Sequence, residues 1–164
     1  MARRVFYSFH YEPDNWRVQT VRNINAIEAQ PKLTSNEWET VWRKGHKAIQ
    51  NWIDSQMSGK GCVVVLIGAQ TASRPWVRYE IEKGWNDGKG VLGIHIHNIK
   101  DSSESQSQKG ANPFTGITMA NGRPMSDYVN TYDPPYTTST LVYNHISTNI
   151  ESWIESAVLA RGNK

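Results

Sequence analysis

Cysteine is almost missing from this chain. Cys62 stands alone among 164 residues, so no internal disulfide can form and no paired-cysteine zinc pattern exists. It heads an apolar run, which makes it a packing residue rather than a reactive thiol. Long hydrophobic stretches are missing too: the N-terminal MARRVFYSFHYEPDNW has one short apolar run before His10, too brief for a signal peptide or a membrane span. A soluble, cytoplasmic protein with no membrane partner is expected. Charge of a single sign is also absent. The 18 lysines and arginines are interleaved with 15 acidic residues, so a net charge of +3 forms no basic stripe, and no nucleic-acid partner is expected. The chain has no GxGxxG, no GxxxxGK[ST] and no GxSxG, which excludes the dinucleotide-binding Rossmann, P-loop and α/β-hydrolase signatures.

What is present gathers between Cys62 and Trp85, CVVVLIGAQTASRPWVRYEIEKGW. Val63 to Ile67 is continuously apolar and mostly β-branched, as suits a strand buried on both faces. No aspartate stands at its tip, which argues against a response-regulator phosphorylation site. A loop of small residues, Gly68 to Ser73, leads to Pro75, well placed in the first turn of a helix, where its missing N–H costs nothing. Ligands of open α/β sheets bind beyond the carboxyl ends of the strands, so Ser73, Arg74, Trp76 and Glu80 fall near the mouth of any site.

The rest of the chain supplies the frame. Val5 to Phe9 reads as the first strand, and Asp14 or Asn15 as the cap of a helix with Val18, Val21, Ile24 and Ile27 on one stripe. Thr34 to Glu37 forms a capping box for one long amphipathic helix from Trp38 to Met57, leaving room only for a short edge strand at Ala29 to Leu33, or for none. After the turn at Asn86 to Gly90, Val91 to His97 reads as a strand parallel to the Val63 strand. Residues 98–126 lose all periodicity and read as an irregular surface insertion able to fold over the pocket. Asp127 to Asp133 is expected as a last edge strand and Thr140 to Ala160 as the final helix. At this length the chain is expected to form one domain over residues 1–164, with most of its seven tryptophans in the core or packed between helices. The alternation of elements predicts an α/β fold, a three-layer, flavodoxin-like sandwich with a parallel sheet flanked by helices.

Two sets of polar residues could carry chemistry. His95 and His97 share a strand face, but no cysteine or acid lies nearby in sequence, so a structural role is preferred and no metal is expected. On a helical wheel Val77, Ile81, Gly84 and Trp85 form the buried stripe, Trp76 and Glu80 lie on one flank, and Arg78 and Glu82 lie on the other. Arg78 and Glu82 make an ordinary solvated i,i+4 pair, whereas Glu80 has no such partner on its helix. From these residues alone, Glu80 is either a site carboxylate or a surface one.

The order SFHY, VVVLIGAQT, SRPWVRYEI, VLGIHIHN resembles the TIR-like domains of bacterial Thoeris anti-phage defence, the ThsB type, over nearly the whole chain. The W-x-x-x-E-[LI] helix start of TIR domains is matched by Trp76, Glu80 and Ile81, and their serine-containing loop by Ser73. The resemblance implies that Glu80 is catalytic and that the reaction cleaves the nicotinamide–ribose bond of NAD+, used as substrate with no separate cofactor. It implies capture of the ribose within the molecule as a cyclic ADP-ribose isomer, or hydrolysis where water enters. Phe9, His10, Tyr11 and Trp76 then become candidates for stacking on nicotinamide or adenine. Arg17, Arg74 and Lys83 become candidates for the pyrophosphate, and Ser8 and Ser73 complete the substrate-binding set. Implied partners are an infection-derived trigger, self-assembly on activation, and a downstream effector reached through the cyclic product rather than by direct binding. Two alternatives remain open at this level: a non-catalytic TIR-like interaction module in which Glu80 merely favours a helix start, and a nucleoside deoxyribosyltransferase-like enzyme on a similar layered fold.

Overall fold

A computed structural model describes residues 4–24, 28–29 and 40–162, with the side chains of residues 12–13 and 28–29 excepted. Its centre is β3 (Cys62–Ile67), whose apolar run is buried along its whole length because neighbours cover both sides and both faces. β1 (Arg4–Ser8) and β4 (Gly90–His95) flank it, β2 (Glu28–Ala29) lies outside β1, and β5 (Thr131–Tyr132) lies outside β4. The strand order is β2-β1-β3-β4-β5, with every pairing parallel. This is the flavodoxin-like doubly wound order the alternating pattern predicts.

Period-two alternation splits the core into two layers. Cys62, Val64 and Leu66 face α1 (Tyr11–Arg22) and α4 (Ser139–Gly162), meeting Val18, Val21, Val142, Ile146, Ile150 and Ile154. Val63, Val65 and Ile67 face α2 (His46–Met57) and α3 (Pro75–Asn86), meeting Ile49, Ile53, Met57, Val77 and Ile81. α3 lies close on β3 because residue 84 is glycine: a methyl there would overlap Cγ2 of Val63. Its far end is closed by Arg161, whose guanidinium stacks 4.3 Å from the Trp85 ring centre and donates to the Trp85 carbonyl oxygen. Among the described residues no helix is long and apolar enough to cross a membrane.

Several sequence expectations are corrected. The long helix expected from Trp38 is broken: residues 40–43 are helical, Gly45 takes a φ of +97°, and α2 starts afresh at His46. Glycine tolerates that left-handed turn where other residues would continue the helix. Asp14 does not cap α1, which begins earlier, at Tyr11, with His10 at the cap position. β4 stops at His95 because β3, its pairing partner, ends at Ile67. The edge strand expected over Asp127 to Asp133 shrinks to Thr131–Tyr132, preceded by a 3₁₀ turn at Met125–Asp127. On the other edge, Glu28–Ala29 pairs with β1, and Thr34 to Glu37, Trp38, Ile27 and the rest of the proposed Ala29 to Leu33 strand lie outside the described residues. Trp52, Trp76, Trp85 and Trp153 pack against the two cores, but Trp16 and Trp42 are exposed.

The insertion is not simply surface. Ile99 is buried in the first core, and Phe114, Ile117 and Met125 are buried in the second. Those few apolar side chains, scattered through a Ser- and Gln-rich stretch without a period, are enough to dock it. Phe114 fills the space left by Gly93 on β4, where a methyl would stand 2.9 Å from its ring. Gly110 packs on the carbonyl oxygen of Gly68, so the segment crosses the carboxyl edge of the sheet at the tip of β3.

Candidate active site

The chain leaves β1 for β2 on one side and later enters β3 on the other, so the strand order reverses between β1 and β3. That switch point opens a crevice at the carboxyl ends of the two strands. Ser8 ends β1 there, Gly68 follows β3, and α3 brings Glu80 over them.

Ser8 Oγ donates a 2.6 Å hydrogen bond to Oε1 of Glu80, joining side chains 72 residues apart. Both are buried, Ser8 completely and Glu80 to within 8% exposure. Burial raises the Glu80 pKa to about 8, and the Ser8 hydroxyl partly opposes it. Glu80 therefore carries a proton in the free protein at neutral pH and can give it up when a positive charge arrives beside it. The wheel's flank assignment holds. Arg78 and Glu82 pair at 2.9 Å in solvent, while Glu80 turns inward with Val77, Ile81 and Gly84.

Behind the crevice lies a second carboxylate. Asp14 is buried, its carboxyl group lies against Gly68, and Oδ1 accepts a 3.1 Å hydrogen bond from Nη1 of Arg17. Burial raises its pKa, and Arg17 draws it back. Sequence reasoning missed Asp14 as a site residue and read it as a cap. The available signal was Arg17 one turn later, on the same helix face.

The other proposed site residues scatter. Phe9, His10 and Tyr11 follow β1 directly, half-buried at the rim, with the Phe9 and Tyr11 rings 6.1 Å apart. Trp76 packs on His46 at 4.7 Å and edge-on to Tyr79 at 5.5 Å, so it spans α3 and the start of α2. Arg74 is exposed at the cap of α3, and exposed Ser73 donates to the Gln70 carbonyl oxygen. Lys83 turns away, pairing with Asp87 at 3.0 Å beside a shallow pocket lined by Tyr79, Glu82 and Asn86. Arg17 is 3% exposed and engaged inside the protein: besides Asp14 it donates to the carbonyl oxygens of Ile99 at 2.6 Å and Ser105 at 2.9 Å. These partners occupy its donors, which does not suit a pyrophosphate clamp.

His95 ends β4 and His97 lies two residues beyond it, both buried, with their rings edge-to-face at 5.8 Å. Burial lowers both pKa values, that of His95 to about 4, so both are neutral at pH 7. Among the described residues no group of three His, Cys, Asp or Glu side chains is placed to hold a metal ion.

A parallel sheet in this order, with a buried glutamate from the helix after β3 aimed at the switch point, defines a TIR-like α/β domain. Residues 6–101 match the family model of the Thoeris protein ThsB, TIR-like domain, and the chain belongs to that family. A Bacillus cereus (strain MSX-D12) protein with the provisional name cyclic ADP-D-ribose synthase ThsB1 is 38% identical over 119 residues. The aligned region is 70% of this chain and 62% of that relative, so the chain spans under two thirds of the relative's length. The family match takes in Ser8, Asp14, Arg17 and Glu80 and stops at Asp101, where the insertion turns.

Proposed function

We propose that this chain is an NAD+-consuming enzyme of anti-phage defence that breaks the nicotinamide–ribose bond and releases a cyclic ADP-ribose isomer. The buried Glu80–Ser8 pair at the switch point carries this reading, and the name of the Bacillus cereus relative supports it. The nicotinamide of NAD+ is cationic and already a good leaving group, so a second carboxyl acting as general acid is not needed. Its arrival favours loss of the Glu80 proton, and the carboxylate then stabilises the positive charge that grows on the ribose as the C–N bond lengthens. Nicotinamide departs neutral. A nucleophile on the adenosine half then bonds to the ribose carbon and releases a proton where water is held off; water takes its place where it is not.

In this reading the enzyme works in the cytoplasm, is silent until an infection-derived trigger acts, and reaches a separate Thoeris effector through its product. The test is incubation with NAD+, with and without infected-cell lysate, followed by mass spectrometry for nicotinamide and cyclic products. Activated protein should release both, Glu80→Gln should abolish both, and Glu82→Gln should keep them. Equal product from Glu80→Gln would remove Glu80 from the chemistry.

A further inference from the structure

The insertion meets the site through a connected set of contacts. Asp101 Oδ1 accepts hydrogen bonds from the backbone N–H groups of Ser103 and Ser105 at 2.8 and 3.0 Å, folding a tight turn that presents the Ser105 carbonyl oxygen to Arg17. Arg17 also holds the Ile99 carbonyl oxygen and Asp14. Asp14 in turn lies against Gly68, and Gly110 sits on the carbonyl oxygen of that same glycine. Gly68 follows β3 at the switch point, three residues beyond Val65, which pairs in register with Ser8, the partner of Glu80. A buried Arg–Asp pair thus ties the first part of the insertion to the tip of β3, ahead of Phe114, Ile117 and Met125, which dock the rest. Further ties hold the segment elsewhere: Gln106 donates to the carbonyl oxygens of Asn98 and Thr137 at the exposed surface, the Ser107 N–H donates to the carbonyl oxygen of buried His97 at 2.8 Å, and Lys109 pairs with Asp133 at 2.8 Å.

We propose that Arg17, with Asp14, is a positioning residue that seats the insertion on the tip of β3. The seated insertion keeps water from the reacting ribose, so that the adenosine half rather than water captures it. This inference rests on the enzymatic reading above. Two different bonds can form to the ribose carbon after nicotinamide leaves, one to the adenosine half and one to water, each with loss of one proton. A guanidinium with several directed donors suits such a seat better than a lysine, because one fixed fork holds two carbonyl oxygens and the Asp14 carboxylate and pairs with Asp101 at 3.7 Å.

The experiment compares activated wild-type protein with Asp101→Ala and Gly110→Ala, measuring total nicotinamide and the ratio of cyclic to linear ADP-ribose. Asp101 is half-exposed, so its loss loosens the turn without opening a core. Gly110→Ala lifts the segment by a separate route, since a methyl there would overlap the Gly68 carbonyl oxygen. Total nicotinamide should stay within about threefold of wild type, while the cyclic-to-linear ratio falls roughly tenfold in both variants. Amide hydrogen exchange at Ser103 and Ser105 should quicken in Asp101→Ala, a readout independent of activity. Arg17→Lys should shift the ratio in the same direction. An unchanged ratio with loosened amides overturns the proposal. So does unchanged exchange, or an equal fall of both products, which is what a purely structural role would give. If wild-type protein releases no nicotinamide, the enzymatic reading itself fails, and this inference with it; nicotinamide with an insensitive ratio sinks the inference alone.

Discussion

The Ser8 hydroxyl, at the last residue of β1, points at Glu80 and donates to it at 2.6 Å. It is the one described interaction that favours the Glu80 carboxylate, against a burial that disfavours it. Acid–base behaviour at this site is therefore set by a strand end and a helix face that meet only in the folded chain.

Ser8→Ala should raise the Glu80 pKa further above about 8. A lost hydrogen bond to a charged group corresponds to about one pH unit. The rising limb of kcat/KM against pH should move to higher pH by about that much, with less change at the plateau. A pH–rate profile of both proteins checks it, and an unmoved limb would mean that this bond does not tune Glu80.

Glu80 also sets a pH dependence of stability. Its folded pKa lies above the ordinary value of 4.5, at about 8, so the unfolded chain loses the proton first and stability falls as pH rises across that window. Glu80→Gln removes this slope. The variant should gain on wild type by up to about 1.4 kcal/mol per pH unit between those limits and show no such gain below them. Urea denaturation at a series of pH values measures the difference.

His95 acts with the opposite sign. Burial holds its folded pKa near 4, below the ordinary 6.5, with Asp133 partly opposing and Lys109 adding to the depression. Its contribution is intact above pH 6.5 and is lost as pH falls toward 4. His95→Gln should flatten the acid side of the stability curve, whatever it costs in packing at neutral pH. A full acid slope retained in the variant would place the responsible proton elsewhere.

Gly84→Ala sets two effects against each other. Helix propensity favours alanine by about 1 kcal/mol, but its methyl would overlap Val63 Cγ2 and push α3 off β3. Overpacking of this kind costs about 1–3 kcal/mol, so a net loss is expected. Because Glu80 rides on the same helix, one turn before Gly84, nicotinamide release should fall as well. A stabilised variant would show that α3 tolerates the shift.

The parts of this architecture that were legible in the sequence are those set by local pattern. Val63 to Ile67 announced a buried strand by its unbroken apolar run, and the wheel set Glu80 and Glu82 on opposite flanks because a helix fixes both directions at once, while the burial of Glu80 came only with the fold. Features decided by contacts distant in sequence were not legible. Nothing near Arg17 indicates that it binds carbonyl oxygens more than 80 residues further on, so it read as a free cation for phosphate. Asp14 read as a cap for the same reason, its neighbour Gly68 being unknown. Gly45 was absorbed into a helical period that its backbone does not follow.

The span of the insertion that crosses the strand tip is held by a buried foot at each end, Ile99 in the core on the α4 side of the sheet and Phe114 in the core on the α3 side, where Ile117 and Met125 follow it. It is hung like a bucket handle over the sheet's edge, with those two side chains as its pivots. Neither pivot can leave without opening a core, so any swing of the handle is confined to the span between them, over the tip of β3. Releasing the whole insertion therefore means opening both faces of the sheet at once.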